Sequence, residues 1–555
     1  MSLGFSDLDK YQGWIYGIFE REDYLWYFLL GLILLSSFLI TLRFSLYEPL
    51  GYGDEGFYLT RSENFGESFE LSRTVFGETE IRGDRPLTRE PMLFILLGFS
   101  YSIAGEVGMR MFMPIVSVIS ALLLFLLVRK MHSVKSGVFS VALYLSIPAL
   151  ITHTVFIYVE LVALMFLIGS FYFFYSYLEE EKRFYLFSTG ILFGFSVLTA
   201  QNVLVIPFVF LIVLYVYKKD LNKFFKDFSI LIVITLFMMG PWIIHNYRAG
   251  NGLGFDSHRV LNPLGIDLRE EGSYEEELPD IDVDLPVMTG HRGNLHEEGL
   301  FNYISFAYSV PIFLIGILGF IVYFFERKKK YLIPVLWVLI SFFFVYLLIW
   351  DKDIGSVSRN TLFVVAPLSM AGGFALEKIY GKIGNLVDYI KGRKRIKDKL
   401  KILFKSIFVL SVFGLFLVGS YGHTESLRDL TPSEMVFEGC DWVRENTEED
   451  SVVFYHWDHM IDYHCRRKSI SNKYPGMDIA LTHFDKSYDV VETIGVDYLI
   501  IRSSFIHEET TRDTYTIEFV EYLSSDDRFE EVYNYPEGCE VKDQETNCLA
   551  VFKVL

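Results

Sequence analysis

Two adjacent carboxylates follow the first long apolar segment of the chain. Asp54 and Glu55 stand in the sequence Gly-Asp-Glu-Gly-Phe-Tyr, shortly after the apolar run that ends near residue 46. Charged side chains this close to the edge of a bilayer are costly to retain, and they usually take part in binding or proton transfer. We therefore take this pair as the first candidate for chemistry. A turn with two solvated acids is the structural alternative.

Long apolar segments must position these carboxylates. The chain has 555 residues, of which 52% are hydrophobic and 17% aromatic. Several apolar runs have about 20 residues, the length that a helix needs to cross a bilayer. The sequence therefore predicts an α-helical polytopic membrane protein with about 11 spans. The apolar stretch Pro91–Ala104 is short for a crossing, and we expect it to form a helix in the outer interface.

Basic residues in alternate loops predict the orientation. Lys and Arg favour the cytoplasmic side of a membrane. With about 11 spans and a cytoplasmic N-terminus, every basic cluster lies inside; the clusters are Arg129-Lys130, Lys182-Arg183, Lys218-Lys219, Arg327–Lys330 and Lys378–Lys405. The same count predicts that the C-terminal part of this cell-membrane protein is extracytoplasmic.

Three regions follow from this pattern. We expect a cytoplasmic N-terminus at 1–24, a transmembrane domain at 25–421 with outside loops 47–108 and 247–302, and an extracytoplasmic domain at 422–555. In the last region, apolar runs of strand length alternate with segments of helical spacing; the runs are Ser451–Tyr455, Val496–Ile501 and Leu549–Val554. This alternation is typical of a small α/β domain.

The predicted outside domain is strongly acidic. From Gly422 onward it contains 29 acidic and 12 basic residues, which accounts for most of the net charge of −19. Repulsion between the acidic side chains keeps such a surface soluble. The alternative is an adaptation to high salt concentration outside the cell. Because nucleic acids require basic patches, the acidic charge argues against nucleic acid as a partner.

All four cysteines lie in this outside region. An even number of cysteines on the non-cytoplasmic side predicts disulfides. Cys539 and Cys548 flank a short polar segment, which favours a local bridge between them. Cys440 and Cys465 would then form the second bridge. Four unpaired thiols are the alternative, and the absence of a CxxC spacing argues against a zinc site.

Several motifs along the first half of the chain resemble one enzyme family. After Asp54-Glu55 come, in order, Arg85–Leu93, Arg129-Lys130, Ser146–Pro148, Gly190–Thr199 and Gly240–Tyr247. Their order and their consistent sidedness resemble the GT-C fold glycosyltransferases, namely protein O-mannosyltransferases, aminoarabinose transferases and their archaeal relatives. The resemblance covers about residues 24–250, and only hydropathy extends it to residue 421.

The resemblance implies transfer of a sugar from a polyprenyl-phosphate-linked donor to a protein, lipid or glycan acceptor on the outer face. In this family the Asp of the Asp-Glu pair acts as a general base on the acceptor hydroxyl, and Asp54 occupies that position. A carboxylate within reach raises the reactivity of a hydroxyl, which is a poor nucleophile at neutral pH. Glu55 would orient a cation or a substrate hydroxyl. Tyr58 would contact the acceptor.

The leaving lipid phosphate requires positive or hydrogen-bonding partners. By resemblance, Arg89, Arg61 and Arg248 are donor-binding candidates, although each also fits a structural or headgroup-contacting arginine. Glu160 lies near the outer end of the fourth predicted span, where the family often has an acid. Relatives often have Lys after the Leu-Thr pair, whereas this chain has Gln201 nearby, which can bind a phosphate oxygen without neutralising it.

A second resemblance concerns the start of the outside domain. The segment that contains Trp457 and Asp458 looks like the Trp-Trp-Asp-Tyr-Gly segment of oligosaccharyltransferases, although only these two residues match. They would contact the acceptor. Those enzymes use a metal held by outside carboxylates. By this resemblance Asp54, Glu55 and Glu160 would supply oxygen ligands for Mg²⁺ or Mn²⁺.

A lipid or solute transporter is the alternative from a different class. Transporters usually show paired repeats and polar residues near the membrane midplane. No repeat is visible, and the notable charges cluster outside. We expect a transferase to bring Asp54 and Glu160 together at one outside-facing, membrane-level cavity, whereas a polar path through the bundle would favour transport.

Overall fold

Apolar α-helices make up the larger, N-terminal part of the chain. The structure, a computed structural model, describes residues 22–47, 55–69, 90–218, 220–248, 308–349, 362–388, 394–427, 434–455, 463–470, 488–489, 491–492, 494–503, 506–507, 515–541 and 548–555. The helices of this part are α1 Glu22–Tyr47, α2 Glu55–Ser68, α3 Met92–Met131, α4 Val134–Tyr144, α5 Pro148–Val155, α6 Val159–Glu180, α7 Arg183–Val197, α8 Pro207–Tyr217, α9 Leu221–Arg248, α10 Val310–Glu326, α11 Leu332–Ile349, α12 Val365–Asp388 and α13 Lys394–Ser426.

Many of these helices can cross a membrane. Within the described residues, six are long and apolar enough to do so, and the number is seven if α4 and α5 form one span bent by 69°. Large apolar side chains such as Phe237 and Phe324 remain exposed, as expected for a surface in contact with lipid. The protein is a multi-pass membrane protein, and the count of about 11 spans stays a prediction.

Helix α3 is divided by a sharp kink. Ala104 (φ −141°, ψ 18°) and Gly105 (φ 60°, ψ −146°) leave the helical conformation. The conformation of Gly105 is strained for residues with a side chain. The kink separates Met92–Ile103 from the long remainder of α3, so the segment predicted to lie in the interface is a distinct helical piece.

Helix α2 packs very closely against this first piece of α3. A Cβ atom added to Gly66 would lie 2.8 Å from the carbonyl oxygen of Gly98, and one added to Gly98 would lie 2.7 Å from that of Ser62. The hydroxyl of Ser102 also donates a hydrogen bond of 2.7 Å to the Gly66 carbonyl. Glycine at both positions therefore allows α2 to lie directly on α3.

The bundle has two chemically different ends. At one end, which we call the basic end, Lys130 of α3 lies 3.0 Å from Glu180 at the end of α6, and Lys329 donates to the carbonyl of Val216 in α8. Glu160 lies in the first turn of α6. A helix of this length is roughly 33 Å long, so Glu160 lies at the opposite end, which we call the site end.

The C-terminal part is an α/β domain. Its main sheet has the order β2-β1-β3-β7-β6, in which β1 pairs in parallel with β2 and β3 while β7 runs antiparallel to β3 and β6. The elements are α14 Glu434–Asn446, β1 Val452–Tyr455, β2 Lys468–Ile470, β3 Tyr498–Arg502, β4 Ile506–His507, β5 Tyr515–Thr516, α15 Ile517–Ser525, β6 Phe529–Tyr535 and β7 Leu549–Val554.

Both faces of this sheet are buried. Val452 and Phe454 of β1 belong to one apolar cluster, whereas Val453 and Tyr455 belong to another, because successive side chains of a strand point to opposite faces. The first cluster includes residues of α15, and the second includes Cys440 of α14. The domain thus has the layered α/β arrangement that its sequence predicts.

Two disulfides link segments of this domain. Cys440 of α14 is bonded to Cys465, and Cys539 is bonded to Cys548 at the start of β7. These are the two pairs that the sequence favours. The first bridge fixes the segment before β2 to α14, and this segment reaches the membrane domain through the residue that follows Cys465.

Candidate active site

The carboxylate of Glu55 is fully buried at the first residue of α2. Its Oε1 atom accepts a hydrogen bond of 2.8 Å from the backbone amide of Ile157, which lies in the connection between α5 and α6. A buried carboxylate is costly unless it is hydrogen-bonded, and the first turn of a helix favours negative charge. Glu55 therefore fixes the start of α2 against the start of α6.

A second buried carboxylate, Glu160, lies beside a histidine. The Nε2 atom of His153 is 3.9 Å from Oε2 of Glu160, and both side chains are almost fully buried. The other ring nitrogen of His153, Nδ1, lies 2.7 Å from the carbonyl oxygen of Ala149. Because a carbonyl only accepts, Nδ1 donates, and the protonation of Nε2 and of Glu160 sets the charge of the pair. At 3.9 Å the two atoms do not form a direct hydrogen bond, and they attract each other as an ion pair only when the imidazole is protonated and the carboxylate is charged.

Both acids lie close to one short connection, residues 156–158. Glu55 accepts a hydrogen bond from its backbone, and Glu160 is the second residue of α6, which begins directly after it. The rings of His153 and Tyr158 lie 5.0 Å apart, and Phe156 packs in an apolar cluster that includes Leu427, just after α13. Apolar surroundings strengthen the electrostatic interactions of the acids. The structure thus brings two of the predicted site residues together at the site end.

The other end of α2 is held by a third acid, Glu63. Its carboxylate accepts a hydrogen bond of 3.0 Å from the hydroxyl of Tyr101 in α3 and one of 2.6 Å from Arg466 of the C-terminal domain. The carboxylate of Glu63 raises the pKa of Arg466 against the opposing effect of burial. Helix α2 is therefore fixed at one end by Glu55 and at the other by Glu63.

The predicted donor-binding arginines differ in their environment. Arg61 is buried in α2, where its guanidinium lies 3.6 Å from the ring centroid of Phe57 and donates to the Phe57 carbonyl at 3.3 Å. Its planar group therefore packs against its own helix. Arg248 is exposed at the end of α9, which leaves its charge accessible at the site end.

Gln201 and Tyr58 lie near α3. Gln201 begins a short 3₁₀ helix, and the amide of Met92 donates a hydrogen bond of 3.1 Å to the carbonyl of Leu198 just before it. This contact holds the Gln201 loop beside the start of α3. Tyr58 is buried in α2, and its ring lies 5.7 Å from that of Phe94, so it contributes to the packing of α2 on α3.

An unsatisfied amide lies at the site end of α9. Asn246 is fully buried, and neither polar atom of its side chain has a hydrogen-bond partner among the described residues. The rings of Trp242 and His245 stack beside it with centroids 5.1 Å apart. A buried amide without partners is rare and costly. Such a group indicates a position where a ligand or an ordered water completes the structure.

Several predicted residues lie outside the described part of the chain. These are Asp54, Arg89, Trp457 and Asp458, and their roles stay predictions.

Sequence reasoning missed four residues of this region. His153 and Asn246 are polar residues at the ends of apolar runs, and a search for polar groups in predicted spans finds them. No local pattern links Glu63 to Arg466, which are 403 positions apart.

No metal centre is evident in the described part of the chain. Among these residues no three His, Cys, Asp or Glu side chains are grouped as a metal site requires. One oxygen of Glu55 is already occupied by the Ile157 amide. We therefore derive no chemical step that passes through a metal.

Part of the chain matches a known family. Residues 84–245 match the dolichyl-phosphate-mannose-protein mannosyltransferase family. An uncharacterized protein of Aquifex aeolicus is 27% identical over 223 residues, which are 39% of this chain and 43% of that protein. The chain thus spans less than half the length of the curated relative that it matches.

Solved structures of membrane glycosyltransferases are similar over most of the chain. ArnT from Cupriavidus metallidurans, bound to undecaprenyl phosphate, has a TM-score of 0.63 at 12% identity over 95% of this chain and 98% of ArnT. The oligosaccharyltransferase AglB from Archaeoglobus fulgidus, bound to an inhibitory peptide and a dolichol-phosphate, has a TM-score of 0.62 at 15% identity over 87% and 70%. Arabinofuranosyltransferase AftD from Mycobacteria has a TM-score of 0.54 at 12% identity over 95% and 40%.

At these identities the likeness concerns the fold. The similarity to ArnT covers 95% of this chain, so it includes both the apolar bundle and much of the α/β domain. The chain therefore has the GT-C fold of membrane glycosyltransferases, which confirms the fold class that its motifs predict.

Proposed function

We propose that this protein is a membrane glycosyltransferase that moves a sugar from a polyprenyl-phosphate carrier to an acceptor at the site end of the bundle. The observation that carries the proposal is that two buried acids flank one connection, residues 156–158, within a GT-C fold: Glu55 binds its backbone, and Glu160 lies in the first turn of the helix that follows. ArnT and AglB, which have this fold, bind undecaprenyl phosphate and a dolichol-phosphate. These ligands belong to the chemical class that the proposal requires.

In the proposed reaction the acceptor hydroxyl attacks the anomeric carbon of the donor. The new bond joins the acceptor oxygen to the sugar, the bond between the sugar and the phosphate breaks, and the polyprenyl phosphate leaves. Asp54 takes the hydroxyl proton as general base. Glu55 holds the start of α2 against the start of α6.

The leaving phosphate requires donors of hydrogen bonds or positive charge. We assign this role to Arg89, Arg248 and Gln201. Arg248 is exposed at the site end of α9, and Gln201 lies in the loop held beside the start of α3. Arg61 would act through α2, since its guanidinium packs on Phe57.

Orientation and domain limits belong to the same proposal. We assign 25–421 to the membrane domain, 422–555 to an extracytoplasmic domain, and the N-terminus to the cytoplasm. Single cysteines for labelling at Gly252 or Ser487 should react from outside, and one at Gly392 should not. The reverse pattern would place the site end in the cytoplasm.

Metal dependence is tested separately. Carboxylate oxygens of Asp54, Glu55 and Glu160 suit Mg²⁺ or Mn²⁺, and such an ion would stabilise the departing phosphate. Transfer measured with EDTA, and then with either ion restored, separates the two possibilities. Loss and recovery of activity would indicate a metal.

The test of the function is a transfer assay. Purified protein is incubated with polyprenyl-phosphate sugars, and candidate acceptors are analysed by mass spectrometry for a mass increase of one sugar. Asp54→Asn protein that is folded serves as the control. Sugar transfer by the wild type alone supports the proposal. Carrier or solute movement across vesicles without any transfer would favour the transporter alternative.

The likeness to AglB raises an oligosaccharyltransferase-like activity as the second candidate. Its acceptor would be a peptide, and Trp457 and Asp458 would contact it. The same assay with peptide acceptors distinguishes the two, because the second candidate transfers a whole oligosaccharide to the peptide, whereas the first transfers a single sugar.

A further inference from the structure

A pocket lined by lysines lies at the basic end of the bundle, far from the carboxylates described above. It has a volume of about 490 Å³ and lies between the end of α3, the connection of α10 to α11, and the last turns of α12. We call it the basic pocket and define it by His132, Lys328, Lys330, Phe374, Lys378 and Lys382.

Stacked rings form the floor of the basic pocket. The imidazole of His132 is within 2° of parallel to the ring of Tyr323, and its centroid lies 4.4 Å from that of Phe374. Burial and the nearby Lys330 lower the pKa of His132 to about 3, so the ring is neutral at physiological pH. Its Nδ1 atom is buried and has no hydrogen-bond partner among the described residues. The floor is thus rigid and contains one polar atom whose hydrogen bond is unmade.

Two of the lysines share one carboxylate. The Nζ atoms of Lys328 and Lys378 lie 3.0 and 2.7 Å from the carboxylate of Glu326. One negative charge therefore faces two positive ones, and this part of the pocket retains an excess of positive charge.

The other two lysines, Lys330 and Lys382, have no carboxylate within 4 Å among the described residues. Lys330 donates to a backbone carbonyl, and Lys382 makes no hydrogen bond or ion pair with the described residues. Glu377 also lines the pocket, but its two oxygens accept hydrogen bonds from the hydroxyls of Ser133 and Ser136. The lysines outnumber Glu326 and Glu377, and the further acid that acts on Lys330, Glu179, itself lies 3.8 Å from Lys130. The pocket therefore keeps an excess of positive charge for an anion.

Exposed apolar side chains lie next to the pocket residues along the chain. Phe324 and Phe325, in the last turn of α10, are 71% and 76% exposed, and Leu386 in the last turns of α12 is 70% exposed. Phe324 and Phe325 precede Lys328 in the sequence, and Leu386 lies about one helical turn after Lys382 in α12. A ligand whose phosphate occupies the pocket can therefore place acyl chains against them.

We propose that the basic pocket binds the phosphate headgroup of an anionic phospholipid in the leaflet at the basic end. The lysines supply the charge, the rings supply a fixed floor, and the exposed apolar residues accommodate the acyl chains. Basic pockets between membrane helices recognise anionic headgroups in this way. Under the orientation proposed above, this is the cytoplasmic leaflet.

Native mass spectrometry of the full-length protein tests this inference. The protein is incubated with phosphatidylglycerol, with phosphatidylcholine, or with phosphatidylglycerol plus inorganic phosphate. Lys330→Gln/Lys382→Gln protein is compared with Lys223→Gln/Lys226→Gln protein, which loses the same charge from exposed positions in α9 at the basic end. Lys382→Gln alone is a further variant that leaves the Lys330 bond to the backbone intact.

We expect phosphatidylglycerol to bind more tightly than phosphatidylcholine. The double variant in the pocket should bind it about 10- to 30-fold more weakly, since a lysine near an anionic lipid contributes about 1 kcal/mol. Lys382→Gln alone should weaken phosphatidylglycerol binding by roughly half as much on a logarithmic scale. The variant in α9 should bind this lipid almost as tightly as the wild type does. Equal binding of the two lipids, or an equal loss in the α9 variant, would overturn the inference. Displacement of the lipid by millimolar inorganic phosphate would show a site for soluble anions instead.

Discussion

Glu63 of α2 and Arg466 of the C-terminal domain form an ion pair of 2.6 Å across 403 positions of sequence. Arg466 follows Cys465, which is bonded to Cys440 of α14, and its φ of 54° lies in the left-handed region that disfavours residues other than glycine. Strained residues persist where the surrounding structure holds them. The ion pair therefore links the α/β domain to the helix that begins at Glu55.

The first prediction concerns this ion pair. Arg466→Gln removes the charge that faces Glu63, whose side chain is only 11% exposed. We expect a loss of about 1–2 kcal/mol in the free energy of unfolding, because a buried carboxylate loses its partner while Arg466 itself is partly solvated. Thermal unfolding in detergent measures the loss. Transfer activity should also fall, because α2 is held less firmly.

Arg444→Gln is the matched control for that prediction. Arg444 lines the same cavity as Arg466 and lies 2.5 Å from Asp441, but both side chains of this pair are about half exposed. Surface pairs contribute less than about 1 kcal/mol. Equal losses in the two variants would mean that the Glu63 contact has no special role.

The second prediction concerns the disulfides. Intact-mass measurement should detect no alkylatable thiol without reductant and four after reduction of the unfolded chain. Removal of either bridge should cost roughly 2–4 kcal/mol. The Cys440→Ser/Cys465→Ser variant should in addition weaken the Arg466 contact, whereas Cys539→Ser/Cys548→Ser should not. Four reactive thiols in the untreated protein would contradict the pairing.

The third prediction concerns alkaline pH. Tyr455 of β1 is buried, and burial raises its pKa to about 12, compared with about 10 in an unfolded chain. Below pH 10 the hydroxyl is protonated in both states, and its stabilising contribution is complete. As the pH rises toward 12 the unfolded state ionises first, so stability should fall by up to about 2–3 kcal/mol. Tyr455→Phe protein should show a shallower decline, measured by unfolding at pH 9 to 12, and an unchanged slope would exclude Tyr455 as the source.

Much of the α/β domain was predictable because its central strands are apolar. The buried parts of β1, β3 and β7 are short apolar runs, namely Val452–Tyr455, Leu499–Ile501 and Leu549–Phe552. β6, Phe529–Tyr535, was not predicted, since most of its side chains are partly or fully exposed and its sequence contains Glu530 and Glu531. β2 has only three residues, too few for a pattern.

The candidate site was predictable only in part. The position of Glu55 and Glu160 relative to apolar runs marked both as unusual acids. The partner of Glu55, however, is a backbone amide at Ile157, and any residue type can supply an amide. His153 and Glu160 meet across a break between two helices, where helical spacing gives no guide. Long-range pairs of this kind depend on the packing of the bundle and leave no local signal.

The fourth prediction concerns Asn246. Asn246→Leu replaces an unsatisfied buried amide by an apolar group of similar size, so we expect the ligand-free protein to be as stable as the wild type or more stable. If the amide binds the donor, the stabilisation by polyprenyl phosphate should become smaller in the variant. Thermal unfolding with and without polyprenyl phosphate measures both quantities. A large loss of stability in the ligand-free variant would show that the amide serves packing instead.

The fifth prediction separates positioning from chemistry at the start of α2. Glu55→Gln keeps an oxygen that can accept from the Ile157 amide, whereas Glu55→Ala leaves this amide unpaired. We expect Glu55→Ala to lose about 1–3 kcal/mol of stability and Glu55→Gln much less.

Asp54→Asn keeps the size of the side chain and removes the proposed base, so turnover should fall by about 10²–10⁴-fold with little change in donor affinity. Arg89→Ala should weaken donor binding as well as turnover, because it removes a phosphate partner. A folded Asp54→Asn protein with nearly full activity would refute the general-base role and leave the fold as the remaining link to glycosyl transfer.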